Sequence, residues 1–125
     1  YISKVIVNTT VDKFKNNIIL GSGYSIDIEY REINNNRIIY TGSKTQIYKG
    51  DKIYKEFTNV VIGDINGDGM INSADLLRVR QHLLGSISLT GIYFLSSDIN
   101  YDNSINSADL LRIRQHLLGS KPISE

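Results

Sequence analysis

Asp64-Ile65-Asn66-Gly67-Asp68-Gly69-Met70-Ile71-Asn72-Ser73-Ala74-Asp75 returns 34 residues later as Asp98-Ile99-Asn100-Tyr101-Asp102-Asn103-Ser104-Ile105-Asn106-Ser107-Ala108-Asp109. The match runs on without a gap through Leu-Leu-Arg-Val/Ile-Arg-Gln-His-Leu-Leu-Gly-Ser, and aligning 64–86 with 98–120 gives 19 identities in 23 positions. Self-similarity of this kind marks one unit written twice. In each copy, oxygen-bearing side chains fall at loop positions 1, 3, 5, 9 and 12. These are Asp64, Asn66, Asp68, Asn72 and Asp75, then Asp98, Asn100, Asp102, Asn106 and Asp109. Odd spacing in a tightly coiled loop turns alternate side chains toward one centre. Position 7, Met70 or Ser104, offers its backbone carbonyl.

This is the pattern of an EF-hand calcium loop, with Gly69 at the sharp turn. Oxygen-only ligands select Ca²⁺ over Zn²⁺ or Cu²⁺, so two Ca²⁺ are expected. Three carboxylates per loop neutralise a divalent ion with one charge to spare. Ile71 and Ile105, at position 8, can anchor each loop to a core. Two features depart from the common loop. Position 12 is Asp rather than Glu, and its shorter reach requires the following helix to sit closer to the ion. Position 6 of the second loop is Asn103, and Asn is the non-Gly residue best suited to a left-handed turn. An acidic loop of Asx turns without metal is the plain alternative, and two such loops in register outweigh it.

The composition of the 125-residue chain sharpens this reading. Residues 1–60 hold nine Lys/Arg against six Asp/Glu, and residues 61–125 hold five against seven, which agrees with the net +1. Neither half is basic enough for a nucleic-acid partner. Pieces of roughly 60 residues bury only about 60% of their unfolded surface, are marginal alone and usually need a staple. The chain has no Cys, so disulfides and thiolate metal sites are excluded. A hard cation on oxygen ligands remains. No apolar run is long enough to span a bilayer, so no membrane association is expected. The chain does not start with Met, and we expect a C-terminal fragment of a longer protein.

Before the repeat, residues 3–7 read as a strand. Thr10 then caps a two-turn helix with Val11, Phe14 and Ile18 on one face, ending at Asn16-Asn17. Tyr24–Tyr30 alternates with period two and places Tyr24, Ile26, Ile28 and Tyr30 on one face. Asn34-Asn35-Asn36 reads as a hairpin turn, and strands follow at 37–41, 44–48 and 53–62. Residues 1–60 are thus expected to form a small antiparallel β module with one short helix, and residues 61–125 a second unit, coupled to it without a linker. Tyr24, Tyr30, Tyr40, Tyr48 and Tyr54 could line a sugar-binding face, although aromatics favour strands in any case.

Each loop feeds a helix, Ser73–Leu84 and Ser107–Leu118, stopped by Gly85 and Gly119. Leu76, Val79 and Leu83 form an apolar stripe, with Leu110, Ile113 and Leu117 as its copy. His82 and His116 read as packed surface histidines in preference to zinc ligands, and Arg78 and Arg112 as solvated or rim residues. A short helical connector starts near Thr90. A strand, rather than a helix, enters Asp64, so these are half EF-hands.

A tandem of D-x-N-x-D-G-x-I-N-x-x-D-L-L loops, each followed by one helix and a Gly, resembles the type I dockerin module of clostridial secreted and cellulosomal enzymes. The resemblance covers 62–120 and includes the Asp at position 12. It implies an α+β chain whose second half is an all-α dockerin of two calcium loop–helix repeats with pseudo-twofold symmetry. It also implies calcium-dependent docking to a cohesin module, outside the cell, in a secreted or cell-surface complex built for polysaccharide degradation. The family's recognition positions carry over to Ser73, Ala74, Leu77, Arg80 and Gln81, and to Ser107, Ala108, Leu111, Arg114 and Gln115. Near-identical copies imply two docking orientations. On this reading the chain is a monomer in isolation and not an enzyme. The alternative is a carbohydrate-binding accessory module with a calcium-stabilised tail.

Overall fold

The computed structural model describes residues 1–16, 18 and 20–123. Its elements are β1 (Ile2–Val5), α1 (Val11–Asn16), β2 (Tyr24–Ile28), β3 (Arg31–Ile33), β4 (Asn36–Ile38), β5 (Lys44–Lys49), β6 (Lys52–Val61), α2 (Ser73–Leu83), α3 (Gly91–Ser97) and α4 (Ser107–Leu117). The chain is α+β, with its strands in the first half and the three later helices in the second. The helix expected to end at Asn16-Asn17 reaches Asn16, and Asn17 lies outside the described residues.

Sheet order is β1-β6-β5-β2, with β3 and β4 forming a separate hairpin. Asn34 and Asn35 turn that hairpin at φ 52° and 66°. Two successive left-handed residues give the turn whose twist matches an antiparallel pair, and Asn tolerates that region. The module is not wholly antiparallel. β1 pairs parallel with β6, Val5 opposite Val61, while β6 pairs antiparallel with β5. No tight turn joins β1 to β6, and a long connection through α1 and intervening strands permits the parallel direction. Tyr30 also departs from expectation. β2 ends at Ile28, so Tyr30 leaves the buried face, stands exposed and carries the Arg37 guanidinium 5.5 Å above its ring.

Two apolar cores meet at β6. Val5, Val11, Ile28, Ile39 and Val61 form one. Val60, Ile62, Ile65, Val79, Leu89, Ile99, Ile105, Ile113 and Ile123 form the other, with Ile71, Leu76, Leu110, Ile92 and Phe94 packed against it. Side chains alternate across a strand, so consecutive residues of one strand serve both. α2 packs on α4, and Val79 and Ile113 are completely buried. No helix among the described residues is long and apolar enough to cross a membrane.

Each helix of the repeat starts and stops in the same way. Asn72 and Asn106 are N-caps that accept from Ala74 N–H and Ala108 N–H, and Asp75 and Asp109 complete the capping boxes. At the other end Ser86 N–H donates to the Gln81 carbonyl at 2.9 Å and Gly85 N–H to that of His82 at 3.1 Å. Ser120 and Gly119 repeat this pair on Gln115 and His116. This is the double closure made by a left-handed glycine after a helix. Leu83 and Leu117, expected in the apolar stripes, are 41% and 40% exposed. They lie in last turns, where the chain folds back and Leu89 or Ile123 enters the core instead. Leu89 N–H donates to His82 Nδ1 at 3.0 Å, and Ile123 N–H to His116 Nδ1 at 2.9 Å. Leu89 and Ile123 are themselves 34 residues apart, so the structural repeat outruns the continuous sequence match.

Candidate metal centres and docking face

In the first loop, one carboxylate oxygen from each of Asp64, Asp68 and Asp75 lies within 4.8 Å of the others, and Asp98, Asp102 and Asp109 do the same in the second. Backbone amides hold them there. Asp64 Oδ1 accepts from Asp68 N–H at 3.1 Å and Oδ2 from Gly69 N–H at 2.9 Å. Asp98 repeats this with Asp102 N–H at 3.2 Å and Asn103 N–H at 3.0 Å. Asp75, in the first turn of α2, closes the loop. Its Oδ1 accepts from Ile65 and Asn66 N–H at 2.8 and 3.1 Å, and its Oδ2 from Asn72 N–H at 2.9 Å. Asp109 accepts likewise from Ile99 and Asn106. The short Asp at position 12 therefore draws the start of each helix onto its own loop. Gly69 takes φ 84° and Asn103 φ 67°, so Asn does adopt the left-handed turn asked of it.

The electrostatics of these clusters are unbalanced. Burial pushes the Asp64 carboxyl from 3.8 up to about 6, against donation from Thr41 and Gly69 N–H and helped by the charges of Asp75 and Asp68. Burial also raises Asp75, despite the Asn72, Asn66 and Ile65 amides, and raises Asp109. Asp102, at the surface, is lowered chiefly by Ser104 N–H. Among the described residues no Lys or Arg forms an ion pair with any of the six carboxylates. Buried carboxylates without a cationic partner are costly. An all-oxygen cluster that lacks a counter-charge fits a hard divalent cation.

Asn66 and Asp68 are half-buried, whereas Asn100 and Asp102 are exposed. Asn72 Oδ1 is engaged by Ala74 N–H at 3.0 Å. The Met70 side chain stands in solvent, as suits a position where the backbone matters. Ile71 and Ile105 reach the core.

Along α2, Ser73, Ala74, Leu77 and Arg80 are exposed and Gln81 is half-buried; along α4, Ser107, Ala108, Leu111, Arg114 and Gln115 show the same pattern. Leu77 and Leu111 are 53% and 54% exposed. Arg112 is not a free rim residue. Its guanidinium donates to the carbonyls of Lys121 at 3.0 Å and Pro122 at 3.4 Å, and to Gln115 Oε1 at 3.3 Å, tying the tail to α4. The histidines accept backbone amides through Nδ1, roles that spacing alone did not reveal.

Three tyrosines of the first half lie beneath lysines, and two of these meet edge-on. Lys49 sits 5.7 Å over Tyr24, Lys55 lies over both Tyr1 and Tyr54, and Tyr24 meets Tyr54 edge-on at 5.2 Å.

Residues 62–118 match the family profile of the dockerin type I domain. A solved structure, the third cohesin of ScaC in complex with the ScaB dockerin from Acetivibrio cellulolyticus, carries a mutation in the dockerin's N-terminal helix and displays a type I interaction. It is 29% identical over 49% of this chain and 90% of that one, at a TM-score of 0.44. The paired loops and their capping boxes lie within the stretch that matches, so it is over residues 62–118 that this chain is similar to the type I dockerin module.

Proposed function

We propose that the chain is a calcium-dependent docking module that binds a cohesin and anchors its parent secreted protein, an enzyme acting on polysaccharides or glycans, in an extracellular complex. The observation that carries this is the duplicated exposed face. Ser73, Ala74, Leu77 and Arg80 with Gln81 on α2, and Ser107, Ala108, Leu111 and Arg114 with Gln115 on α4, have the same residue types in the same exposure pattern. Exposed Leu and Arg on a preformed helix face are fitting anchors, since Arg is favoured where binding energy concentrates.

Residues 1–60 form an accessory β module and residues 61–125 the docking unit. The two repeats relate by a pseudo-twofold axis, so either face can meet the partner and two orientations are open. One Ca²⁺ belongs to each loop. Asp64, Asn66, Asp68, Asp75 and the Met70 carbonyl would hold the first, and Asp98, Asn100, Asp102, Asp109 and the Ser104 carbonyl the second. Asn72 and Asn106, committed as N-caps, would act through water, as position 9 often does. The ion supplies the positive charge that these clusters lack and so stabilises a fold too small to be secure alone. Neither loop is catalytic on this reading, because its carboxylates are committed to the cation.

Pull-down by an immobilised cohesin, with calcium and with EGTA, tests the docking. Binding in calcium and loss in EGTA is expected. Charge reversal at Arg80 with Ser73→Asp should weaken binding only slightly, as should the matching changes at Arg114 and Ser107. All four changes together should abolish it. Full loss from one face alone would sink the two-orientation reading.

A further inference from the structure

We infer that Thr41 and the β3–β4 hairpin form a fixed cover over the first calcium loop, which positions Asp64 and makes cation exchange there slower than at the second loop. This rests on the calcium reading above.

Asp64 receives a donor that Asp98 does not. Beyond the two loop amides common to both, Asp64 Oδ2 accepts from the Thr41 backbone N–H at 3.0 Å, across 23 residues of sequence. Among the described residues Asp98 has only the loop pair. Thr41 is itself fixed to β6, since its Oγ1 accepts from Val61 N–H at 2.9 Å and donates to the Val61 carbonyl at 3.2 Å. Thr41, Val61 and Asp64 are all buried.

The sequence differences between the copies follow the same cover. A Cβ on Gly67 would stand 2.8 Å from the Thr41 carbonyl oxygen. The loop conformation does not demand glycine there, because Tyr101 occupies the equivalent place at φ 59° against 77° for Gly67. The neighbour demands it. A Cβ on Gly69 would meet Ile33 Cδ1 at 3.2 Å, with Ile38 and Tyr40 just beyond, whereas its counterpart Asn103 is exposed. Arg31 Nη1 also donates to the Asp68 carbonyl at 3.4 Å. Two of the four substitutions between the copies thus fall where the first half presses on the loop.

A loop must open to release its ion. In the second, Asn100, Asp102, Asn103 and Ser104 are exposed, and the first half reaches it through the Lys4 ammonium 4.6 Å from the exposed Tyr101 ring. The first must also break a buried hydrogen bond to a carboxylate and part from Ile33, Ile38 and Tyr40. A buried bond of that type corresponds to a rate ratio of about ten- to a hundredfold.

The test is rapid mixing of the calcium-loaded full chain with a fluorescent chelator. Two release phases are expected, separated by about tenfold or more. Asp102→Ala should retain the slow phase and Asp68→Ala the fast one. Gly67→Asn, which tolerates the left-handed backbone but not the contact with Thr41, should accelerate release in the Asp102→Ala background toward the fast rate. In the unaltered chain, amide exchange of Thr41 should quicken when calcium is removed. Two bound ions with equal release rates, or a slow phase assigned to the second loop, would overturn the cover. So would a folded Gly67→Asn chain with unchanged release, or a Thr41 amide indifferent to calcium. A chain that binds no calcium at all would instead overturn the calcium reading on which this inference rests.

Discussion

Val60 and Val61 are neighbours in β6, both completely buried, and they stand in different cores. Val60 packs with the helices of the repeat, and Val61 packs with β1 and α1 of the first half. No flexible joint separates the two, so loosening either core strains the strand that the other uses. We predict a single calorimetric unfolding transition for the calcium-loaded chain. Val60→Ala and Val61→Ala should each cost about 2 kcal/mol, as the loss of two buried methyl groups and a residual cavity requires. Both should lower that one transition. Separate transitions, each shifted by one substitution alone, would refute the coupling.

Gly63, between β6 and Asp64, joins strand to loop at φ 91°. A Cβ there would lie 2.6 Å from Ile71 Cδ1 and 3.2 Å from Ile123 Cδ1. The second loop follows directly on α3, and the matching residue is Ser97, buried at the end of that helix. Gly63→Ala should therefore destabilise by about 2 kcal/mol or more, combining the left-handed penalty with displacement of Ile71. Ser97→Ala, which removes one hydroxyl bond to the Tyr93 carbonyl, should cost about 1 kcal/mol. Equal effects in thermal melts would show that the strand-to-loop and helix-to-loop junctions do not differ in this way.

The loops were legible in the sequence because their chemistry is local. Asp64 to Asp75 and Asp98 to Asp109 close on themselves through amides no more than ten residues away, so spacing alone reveals the clusters. Capping by Asn72 and the stop at Gly85 are local in the same sense. What spacing did not reveal depends on distant partners. Thr41 on Asp64, the parallel pairing of β1 with β6 and the exposure of Leu83 are set by tertiary packing. The histidines fall between these cases. Their partners are seven residues on, close enough to find, but the signal is a backbone amide that carries no side-chain pattern. The difference between Gly67 and Tyr101 is plain in the sequence, and only the Thr41 carbonyl explains it.

His116 holds the tail by accepting Ile123 N–H, and an imidazolium cannot accept through Nδ1. Burial, with the Arg112 charge beside it, lowers the His116 pKa below its ordinary 6.5. The unfolded chain therefore binds this proton more readily than the folded one. The contribution to stability is fully present above pH 6.5 and is lost progressively as pH falls below it. His116→Ala leaves the buried Ile123 amide without its acceptor and should cost about 1–3 kcal/mol at pH 7.5. The loss should shrink toward pH 5. A variant whose deficit in chemical denaturation stays constant from pH 7.5 to 5 would show that this hydrogen bond does not matter.

Asp64 sets the opposite pH dependence in the metal-free chain. Its folded pKa, about 6, lies above the ordinary 3.8, so its contribution is fully present below 3.8 and lost as pH rises through about 6. Calcium removes that loss, because the ionised carboxylate then faces a cation in place of Asp68 and Asp75. The stabilisation by calcium, measured as the Tm difference between calcium-loaded and EGTA-treated chain, should therefore be small at pH 5 and grow toward pH 7. Taking the difference cancels groups such as His116 that titrate alike in both samples. Asp64→Asn removes its share of the titration and should lessen this rise as well as reduce the stabilisation, with Asp75 and Asp109, also raised by burial, keeping theirs. If the Tm difference were the same at pH 5 and pH 7, the proton on Asp64 would not compete with the ion, and the account of the first loop as a buried charge awaiting a cation would fail.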